Sequence, residues 1–224
     1  MACVLLRRYP GPATAGLALA LWAWFGVLAV VVRVLLQRRQ TGTTGLRSIS
    51  GRPGSPEWLG GIAFLCSIAF GVGGPLLDVT GALDPIGGLD GTGAHVAGLV
   101  LYAFGLAGVV WSQRVMGSSW RIGVDETERT ALVTGGPFEF VRNPIFTSMT
   151  AVWLGLALLS PSVVSLASVL LLLISIELQT RLVEEPYLLR TQGEPYAAYA
   201  GRVGRFLPGI GTVGRAGTLD RRAR

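Results

Sequence analysis

The chain has 224 residues, of which 50% are hydrophobic and only 14% are charged, whereas roughly 25% of the residues of a soluble domain are charged. This composition and a mean hydropathy of +0.54 predict a membrane protein rather than a soluble domain. The net charge is +6, and every basic residue is arginine. The arginines do not gather with aromatic residues on one polar face, so we expect no nucleic-acid partner.

Three apolar segments fall within residues 1–113, at about 15–36, 58–77 and 94–111. Each is about long enough to cross a hydrocarbon layer of ~30 Å. The first is longer than the apolar part of a signal peptide and lacks a small-residue cleavage end, so we predict that it is retained as an anchor. The third carries small residues that would let a neighbouring helix approach closely, namely Ala97, Gly98, Gly105 and Gly108.

Two shorter apolar segments follow, at about 145–159 and 163–178, separated by Ser160-Pro161-Ser162. At 1.5 Å per residue, an apolar run of this length covers about 22 Å, which is less than the hydrocarbon thickness. We therefore predict a tight helix-turn-helix hairpin with polar continuations at its open end. The whole chain, residues 1–224, is predicted to be one all-α membrane domain of about five transmembrane helices.

The arginine distribution predicts the orientation, because arginine-rich loops near segment ends tend to remain in the cytoplasm. The connection after the first segment carries Arg38, Arg39, Arg47 and Arg52, whereas the link 78–93 contains aspartates and no arginine. Arginines also precede and follow the hairpin. Although Arg7 and Arg8 oppose it, we predict that the N-terminus lies outside and that the open end of the hairpin lies inside. Residues 209–224 lack an apolar period and are predicted to form a mobile basic tail.

Charged and polar groups gather at the open end of the predicted hairpin. Arg142 and Asn143 precede Pro144, which suits the first turn of a helix because its missing N–H is no loss there. The free backbone N–H groups of that turn would lie beside Arg142, and together these groups are able to hold a carboxylate. Charged groups at the edge of a bilayer are unfavourable unless they pair or bind something, so the placement indicates a site.

The second hairpin helix carries Glu177, Arg181, Glu184 and Glu185 at spacings of three and four residues. Arg181 can therefore pair with any of the three carboxylates on one face. One interpretation is a surface ladder of ion pairs that ends a helix in water. The other interpretation is a functional site, and Glu177 favours it, because a carboxylate inside an apolar run needs a partner or a polar cavity.

Spacings typical of zinc sites, phosphate-binding loops and nucleophile elbows are not found in the sequence. Cys3 and Cys66 are too few and too far apart for a disulfide framework or a metal cluster. We therefore expect no metal site.

An ordered set of motifs lies between about Met116 and Pro208. These are Leu132-Val133-Thr134-Gly135-Gly136-Pro137-Phe138, Val141-Arg142-Asn143-Pro144-Ile145-Phe146, Glu184-Glu185 with Leu188, Gly193-x-x-Tyr196-x-x-Tyr199 and Arg205-Phe206-x-Pro208. The set resembles the isoprenylcysteine carboxyl methyltransferase family and, more distantly, the membrane phospholipid methyltransferases.

This resemblance implies an integral membrane enzyme whose catalytic region, residues 114–208, binds S-adenosylmethionine at the cytoplasmic side. Together with the charge pattern at the hairpin mouth, it leads us to predict catalytic roles for Arg142, Arg181 and Glu185. The cofactor-binding residues that it implies are Val133, Gly136, Phe138, Arg142, Asn143, Pro144, Glu184, Glu185, Tyr196 and Tyr199. The partners would be membrane lipids and a lipophilic methyl acceptor, such as a prenylated carboxylate, an isoprenoid acid or a lipid; the oligomeric state stays open.

The sequence departs from the family pattern at four positions. Asn143 stands where the family often has His, Phe146 where it has Tyr, Ser148 where Gly is common and Gln192 where an aromatic residue is frequent. Asn143 can still donate and accept a hydrogen bond, but these departures leave the acceptor open. A membrane reductase that uses a nicotinamide cofactor and a non-catalytic membrane interaction protein are the alternatives.

Overall fold

The computed structural model describes residues 11–45, 51–120 and 131–213, and within these ranges the chain is helical without a β-strand. The regular helices, each followed by its bounds, are α1 (Gly11–Phe25), α2 (Arg33–Thr41), α3 (Pro56–Val79), α4 (Thr92–Met116), α5 (Pro144–Leu159), α6 (Val163–Leu178), α7 (Glu185–Gln192) and α8 (Glu194–Ala200). Two π-helical stretches, Gly26–Val32 and Gln179–Glu184, join α1 to α2 and α6 to α7.

Within the described part of the chain, four continuous helices are long and apolar enough to cross a membrane, and α5 is a shorter apolar helix. The four are Ala13–Thr41, Pro56–Val79, Thr92–Ser119 and Val163–Gln192. The predicted all-α membrane bundle is therefore confirmed. The second hairpin helix continues well beyond its apolar part, because α6, the π-helical stretch and α7 form one helix that carries the glutamate pair.

The closed end of the hairpin is fixed by side chains that cap and anchor it. Ser162 caps α6 by accepting a hydrogen bond from the backbone N–H of Ser165 at 3.1 Å. Ser160 donates to the buried carboxylate of Asp78 at 2.8 Å, and the carbonyl of Pro161 accepts from the N–H of Ile86 at 2.7 Å. The link between α3 and α4 therefore covers the closed end, opposite the end where Pro144 begins α5.

Glycines allow the two helices α4 and α5 to pack almost backbone to backbone. A Cβ atom added to Gly155 would lie 2.5 Å from the carbonyl oxygen of Gly98 and 2.7 Å from the backbone nitrogen of Tyr102. A Cβ added to Gly105 would lie 2.7 Å from the carbonyl oxygen of Ser148. The predicted close approach at these glycines is confirmed, and it positions the start of α5 against the end of α4.

An aromatic cluster joins the first span to the hairpin. The Trp153 ring of α5 is 1% exposed and meets the rings of Trp22 and Phe25 edge to face, at centroid distances of 4.5 and 5.5 Å. Such pairs add about 0.5–1.5 kcal/mol beyond the area they bury. The cluster packs α1 against α5, while α6 packs chiefly against α3.

A buried arginine, whose role the sequence analysis did not predict, secures the C-terminal end of α4. Arg33 donates to the side chain of Gln37 at 2.8 Å and to the carbonyl of Gly117, and its guanidinium lies 4.9 Å from the centre of the Trp120 ring. Gln37 donates to the carbonyl of Ser118 at 2.9 Å. The turn that follows α4 is thereby held to the first span, at the same end of the bundle as Pro144.

The glycine contact predicts a specific effect of a single methyl group. Because the Cβ of Gly155→Ala meets backbone atoms, we expect the variant to lower the free energy of unfolding by about 1–3 kcal/mol, the usual cost of overpacking. Gly16→Ala, in α1 with open space around it, is the control and should be neutral or slightly stabilising. Unfolding in detergent, followed by tryptophan fluorescence, measures both; equal stability of the two variants would contradict the close packing.

Candidate active site

A buried ion pair between Arg142 and Glu185 lies at the open end of the hairpin. The Arg142 Nη2 atom donates to Glu185 Oε1 at 2.5 Å, and the two residues are 5% and 7% exposed. Arg142 stands two residues before Pro144, which begins α5, and Glu185 begins α7. The two residues that the sequence places at the mouths of neighbouring helices are therefore in direct contact.

The π-helical stretch Gln179–Glu184 explains why Glu185 faces inward. In a regular helix Glu177, Arg181 and Glu185 would share one face. The wider π turns rotate the following residues relative to those before them, so Glu185 is buried while the Glu177–Arg181 pair stays exposed, at 42% and 55% of the side-chain surface. The structure therefore does not bring Arg181 to the buried pair of Arg142 and Glu185.

A second arginine completes the coordination of Glu185. Arg205 donates from Nε to Oε1 and from Nη2 to Oε2, each at 2.8 Å, so both carboxylate oxygens are bound. These hydrogen bonds raise the pKa of Arg205 above its ordinary value, and the guanidinium stays charged. Arg205 is absent from the residues expected at the site, although the Arg205-Phe206-x-Pro208 motif contained it. Arg142, Glu185 and Arg205 are named the buried cluster below.

Arg142 also holds the chain that follows α8. Its Nη1 atom donates to the carbonyls of Ala200 at 3.1 Å and Val203 at 2.5 Å, and its Nη2 atom donates to the carbonyl of Gly211 at 3.0 Å. The remaining donor, Nε, is buried without a hydrogen-bond partner. One guanidinium therefore gathers three backbone carbonyls around Glu185.

Two short segments, 141–143 and 204–206, are joined by a parallel bridge between Val141 and Gly204 beside this cluster, and we call them the paired wall. The N–H of Arg142 donates to the carbonyl of Gly204 at 2.8 Å, and the N–H of Asn143 donates to the carbonyl of Arg205 at 3.1 Å. The side-chain amide of Asn143 donates to the same carbonyl at 3.2 Å. Asn143 thus fixes the register of the wall.

Tyr196 and Tyr199 of α8 lie next to the buried cluster and are 2% and 5% exposed. Tyr199 donates from its hydroxyl to the carbonyl of Phe138 at 2.6 Å, which ties α8 to the loop before α5. Burial raises the pKa of both phenols to about 12, and the negative charge of Glu185 adds to the effect at Tyr196. Both are therefore protonated at neutral pH, and the Tyr199 hydroxyl acts as a donor.

The other expected site residues surround this centre at different distances. Glu184 is half-buried beside Glu185 on the same helix, and Val133 is half-buried in the loop that leads to α5. Gly136 adopts a left-handed backbone with φ of 62° and opens a short 3₁₀ turn, which is packed near Val115. The structure therefore groups all the expected cofactor-binding residues at one end of the bundle.

The beginning of the expected mobile tail is ordered in the structure. The N–H of Val213 donates to the carbonyl of Ala200 at 3.0 Å, and the carbonyl of Ile210 accepts from the N–H of Arg205 at 2.8 Å. Residues 209–213 therefore belong to the site, because Arg142 also binds Gly211. The rest of the predicted tail, residues 214–224, lies outside the described residues, as do Arg47, Arg121 and Arg129.

A groove with a volume of about 270 Å³ lies on the other face of the paired wall. It is lined by α4, by the first turn of α5, by the wall itself through Val141 and Phe206, and by Leu207 and Pro208. The hydroxyl of Thr147 donates to the carbonyl of Phe206 at 2.8 Å, so it presents no free donor to the groove. Of the described residues that line the groove, none is charged.

Fold and site together define an integral membrane helical protein with a buried ionic cluster at one end of its bundle. Residues 94–194 match the family model of the phospholipid methyltransferases, a family related to the isoprenylcysteine carboxyl methyltransferases. The match confirms the resemblance drawn from the motifs and supports a membrane methyltransferase. Neither the curated proteins nor the solved structures give a match to the chain.

The matched region covers slightly less than half of the chain. It begins near the start of α4, earlier than the motif resemblance, and it includes Arg142 and Glu185. It ends at residue 194, so Tyr196, Tyr199 and Arg205 lie beyond it and enter the site through the contacts described above.

The buried cluster predicts a large loss of stability when its acid is neutralised. Glu185→Gln leaves two guanidinium groups without their counter-charge, and breaking a buried pair in this way costs about 3–5 kcal/mol. Glu177→Gln removes the exposed pair with Arg181 instead and should cost at most about 1 kcal/mol. Chemical unfolding of both variants in detergent tests the difference; similar losses would show that Glu185 is no more important to the fold than a surface carboxylate.

Proposed function

We propose that the protein transfers a methyl group from S-adenosylmethionine to a lipophilic acceptor, most simply a carboxylate of the isoprenylcysteine or isoprenoid-acid kind. The observation that carries the proposal is the buried cluster at the open end of the hairpin, within reach of both the membrane and water. Its two central residues, Arg142 and Glu185, lie in the region that matches the phospholipid methyltransferase model.

The residues present fit S-adenosylmethionine. The cofactor has a carboxylate, an ammonium group, ribose hydroxyls and an adenine ring, and the cluster offers charges of both signs beside the two tyrosine rings. The buried Nε of Arg142 has an unused donor, which suits a carboxylate. Glu184 or Glu185 would accept hydrogen bonds from the ribose hydroxyls or the ammonium group.

The cofactor, when bound, supplies an activated methyl group for in-line displacement. A carboxylate acceptor is already ionised at neutral pH, so the chain needs neither a general base nor a metal for this reaction. The contribution of the protein is to hold the reactants at near-attack distance and to exclude water. Arg142 and Arg205 position Glu185, and Arg142 also holds the loop 200–211. The two protonated tyrosines pack against the same loop.

The orientation of the site is part of the proposal. The site lies at the end of the bundle that also carries the turn after α4, whereas the link between α3 and α4 lies at the opposite end. The aspartates of that link and the arginines elsewhere favour a cytoplasmic site. A cytoplasmic site has direct access to S-adenosylmethionine.

Binding and transfer of the methyl group test the proposed reaction directly. Purified protein in detergent should bind S-adenosylmethionine in a calorimetric titration and should not bind NADPH, which the alternative reductase would require. With methyl-labelled S-adenosylmethionine and a membrane extract, the label should appear in an organic-soluble product. Arg142→Lys, which loses the guanidinium fork, and Glu185→Gln should each weaken binding by roughly ten- to hundredfold, as expected for a lost charged hydrogen bond.

Glu194→Gln is the matched control, because Glu194 is an exposed carboxylate at the start of α8. It should bind the cofactor like the parent protein. Circular dichroism confirms that each variant is folded at the temperature of the titration. If folded Arg142→Lys and Glu185→Gln bind S-adenosylmethionine normally, the cluster only braces the loop and the proposed binding roles are wrong.

Cysteine labelling tests the orientation. In a chain with Cys3 and Cys66 replaced by serine, Gly87→Cys should react with an impermeant maleimide on intact cells, and Ser118→Cys should react only after permeabilisation. Gly87 is exposed with open space around it, and Ser118 is exposed, so neither substitution disturbs packing. The reverse labelling would place the site outside, and labelling of both from one side would contradict the opposite ends seen in the fold.

A further inference from the structure

The first membrane span lies outside the region that matches the family model, residues 94–194, yet polar side chains join it to α4. Tyr102 donates to the carbonyl of Leu21 and Gln113 donates to the carbonyl of Ala29, each at 2.8 Å. Hydrogen bonds of this kind stabilise the contact between two helices in a lipid environment. The first span is therefore docked on α4 in a fixed register, which an anchor alone would not require.

Arg33 adds a charged contact to this interface. It is buried within the first span, where an ionised side chain is costly and marks a functional position. Among the described residues its charge is met by the carbonyl of Gly117, the side chain of Gln37 and the face of the Trp120 ring rather than by a carboxylate. The planar guanidinium holds these three groups at once, which a neutral donor of similar size cannot do.

The groups that Arg33 holds set the direction in which the chain leaves α4. Gly117 follows the helix with φ of 53° and ψ of −131°, a backbone conformation that residues with a side chain rarely adopt. Carbonyl groups at the end of a helix lack α-helical partners. Here the carbonyls of Gly117 and Ser118 accept hydrogen bonds from Arg33 and Gln37, so the first span fixes the end of α4.

The last turn of α4 also supports a loop of the candidate site. A Cβ atom added to Gly136 would lie 3.2 Å from the side chain of Val115, so the short turn Gly136–Glu139 packs directly on α4. The backbone hydrogen bonds within that turn are long, at 3.3 and 3.4 Å, and are therefore weak. The carbonyl of Phe138 accepts from Tyr199. The positions of the turn and of its contact with α8 therefore depend on where α4 ends.

We propose that Arg33 is a positioning residue of the site: by fixing the end of α4, it holds the turn Gly136–Glu139 where Tyr199 binds it. Arg33 acts through this turn and touches no reactant. For the reaction that it serves, the proposal rests on the proposed function. The first span is then a working part of a site whose family-matched region does not include it.

Hydrogen–deuterium exchange tests the positioning without any ligand. In Arg33→Met a side chain of similar length fills the space without a buried charge, so the variant should fold. The backbone amides of residues 136–141 should exchange about tenfold faster than in the parent protein, because the turn opens more readily when the end of α4 is not held. Arg33→Lys, which keeps the charge but loses the guanidinium fork, should give an intermediate rate.

Tyr102→Phe is the matched control, because it removes a hydrogen bond between the same two spans at a place far from Arg33. It should leave the exchange of residues 136–141 at the parental rate, and circular dichroism should show that all variants are folded. Parental exchange in Arg33→Met, or an equal rise in Arg33→Met and Tyr102→Phe, would overturn the proposal.

Kinetics with S-adenosylmethionine and a membrane extract show whether the position of the turn serves the reaction. Arg33→Met should raise KM for S-adenosylmethionine about tenfold and leave the maximum rate within about twofold, because the bound cofactor restores the turn at the cost of about one hydrogen bond. A lower maximum rate with an unchanged KM would mean only a smaller folded fraction and would contradict a role in the site. If the parent protein neither binds S-adenosylmethionine nor transfers a methyl group while the exchange results hold, the positioning of the turn is retained and only the methyltransferase function fails.

Discussion

The carboxylate of Glu185 sets the requirement that organises this end of the molecule. A carboxylate removed from water is strongly unfavourable unless it is paired and hydrogen-bonded, and here two guanidinium groups bind both of its oxygens. Those guanidiniums belong to distant parts of the chain, one before α5 and one after α8. Satisfying one buried charge therefore brings together the helix hairpin, the loop before it and the segment after α8.

Packing in the transmembrane part of the bundle positions these segments so that they contact Glu185. The contact between Gly155 and Gly98 lets α5 lie close against α4, and the Trp153 cluster holds the same helix to α1. Arg33 fixes the turn after α4 at the level of the site. The short helix α5 is thus held along its length, which fixes the position of Arg142 just before its first turn.

The sequence predicted the helices and the hairpin well, because long apolar runs, Pro144 and the Ser-Pro-Ser turn act locally. It also predicted that Arg142 and Glu185 lie at one end, since both stand at mouths of neighbouring helices. It did not predict the contacts of Arg33 or Arg205, which depend on partners far along the chain. Nor did it predict that Glu185 leaves the face shared by Glu177 and Arg181, because helical spacing assumes a regular helix and the π-helical stretch breaks that assumption.

The wide span of Arg142 has a consequence for the order of events during synthesis. Arg142 emerges 43 residues before Glu185 and still earlier than the carbonyls of residues 200–211 that it binds, so α5 enters the membrane with a cation whose partners do not yet exist. A nascent hairpin therefore holds this charge at the water boundary until the later segment arrives. Docking of residues 200–211 against Arg142 supplies those carbonyl partners, so the site requires the segment after α8 for its completion.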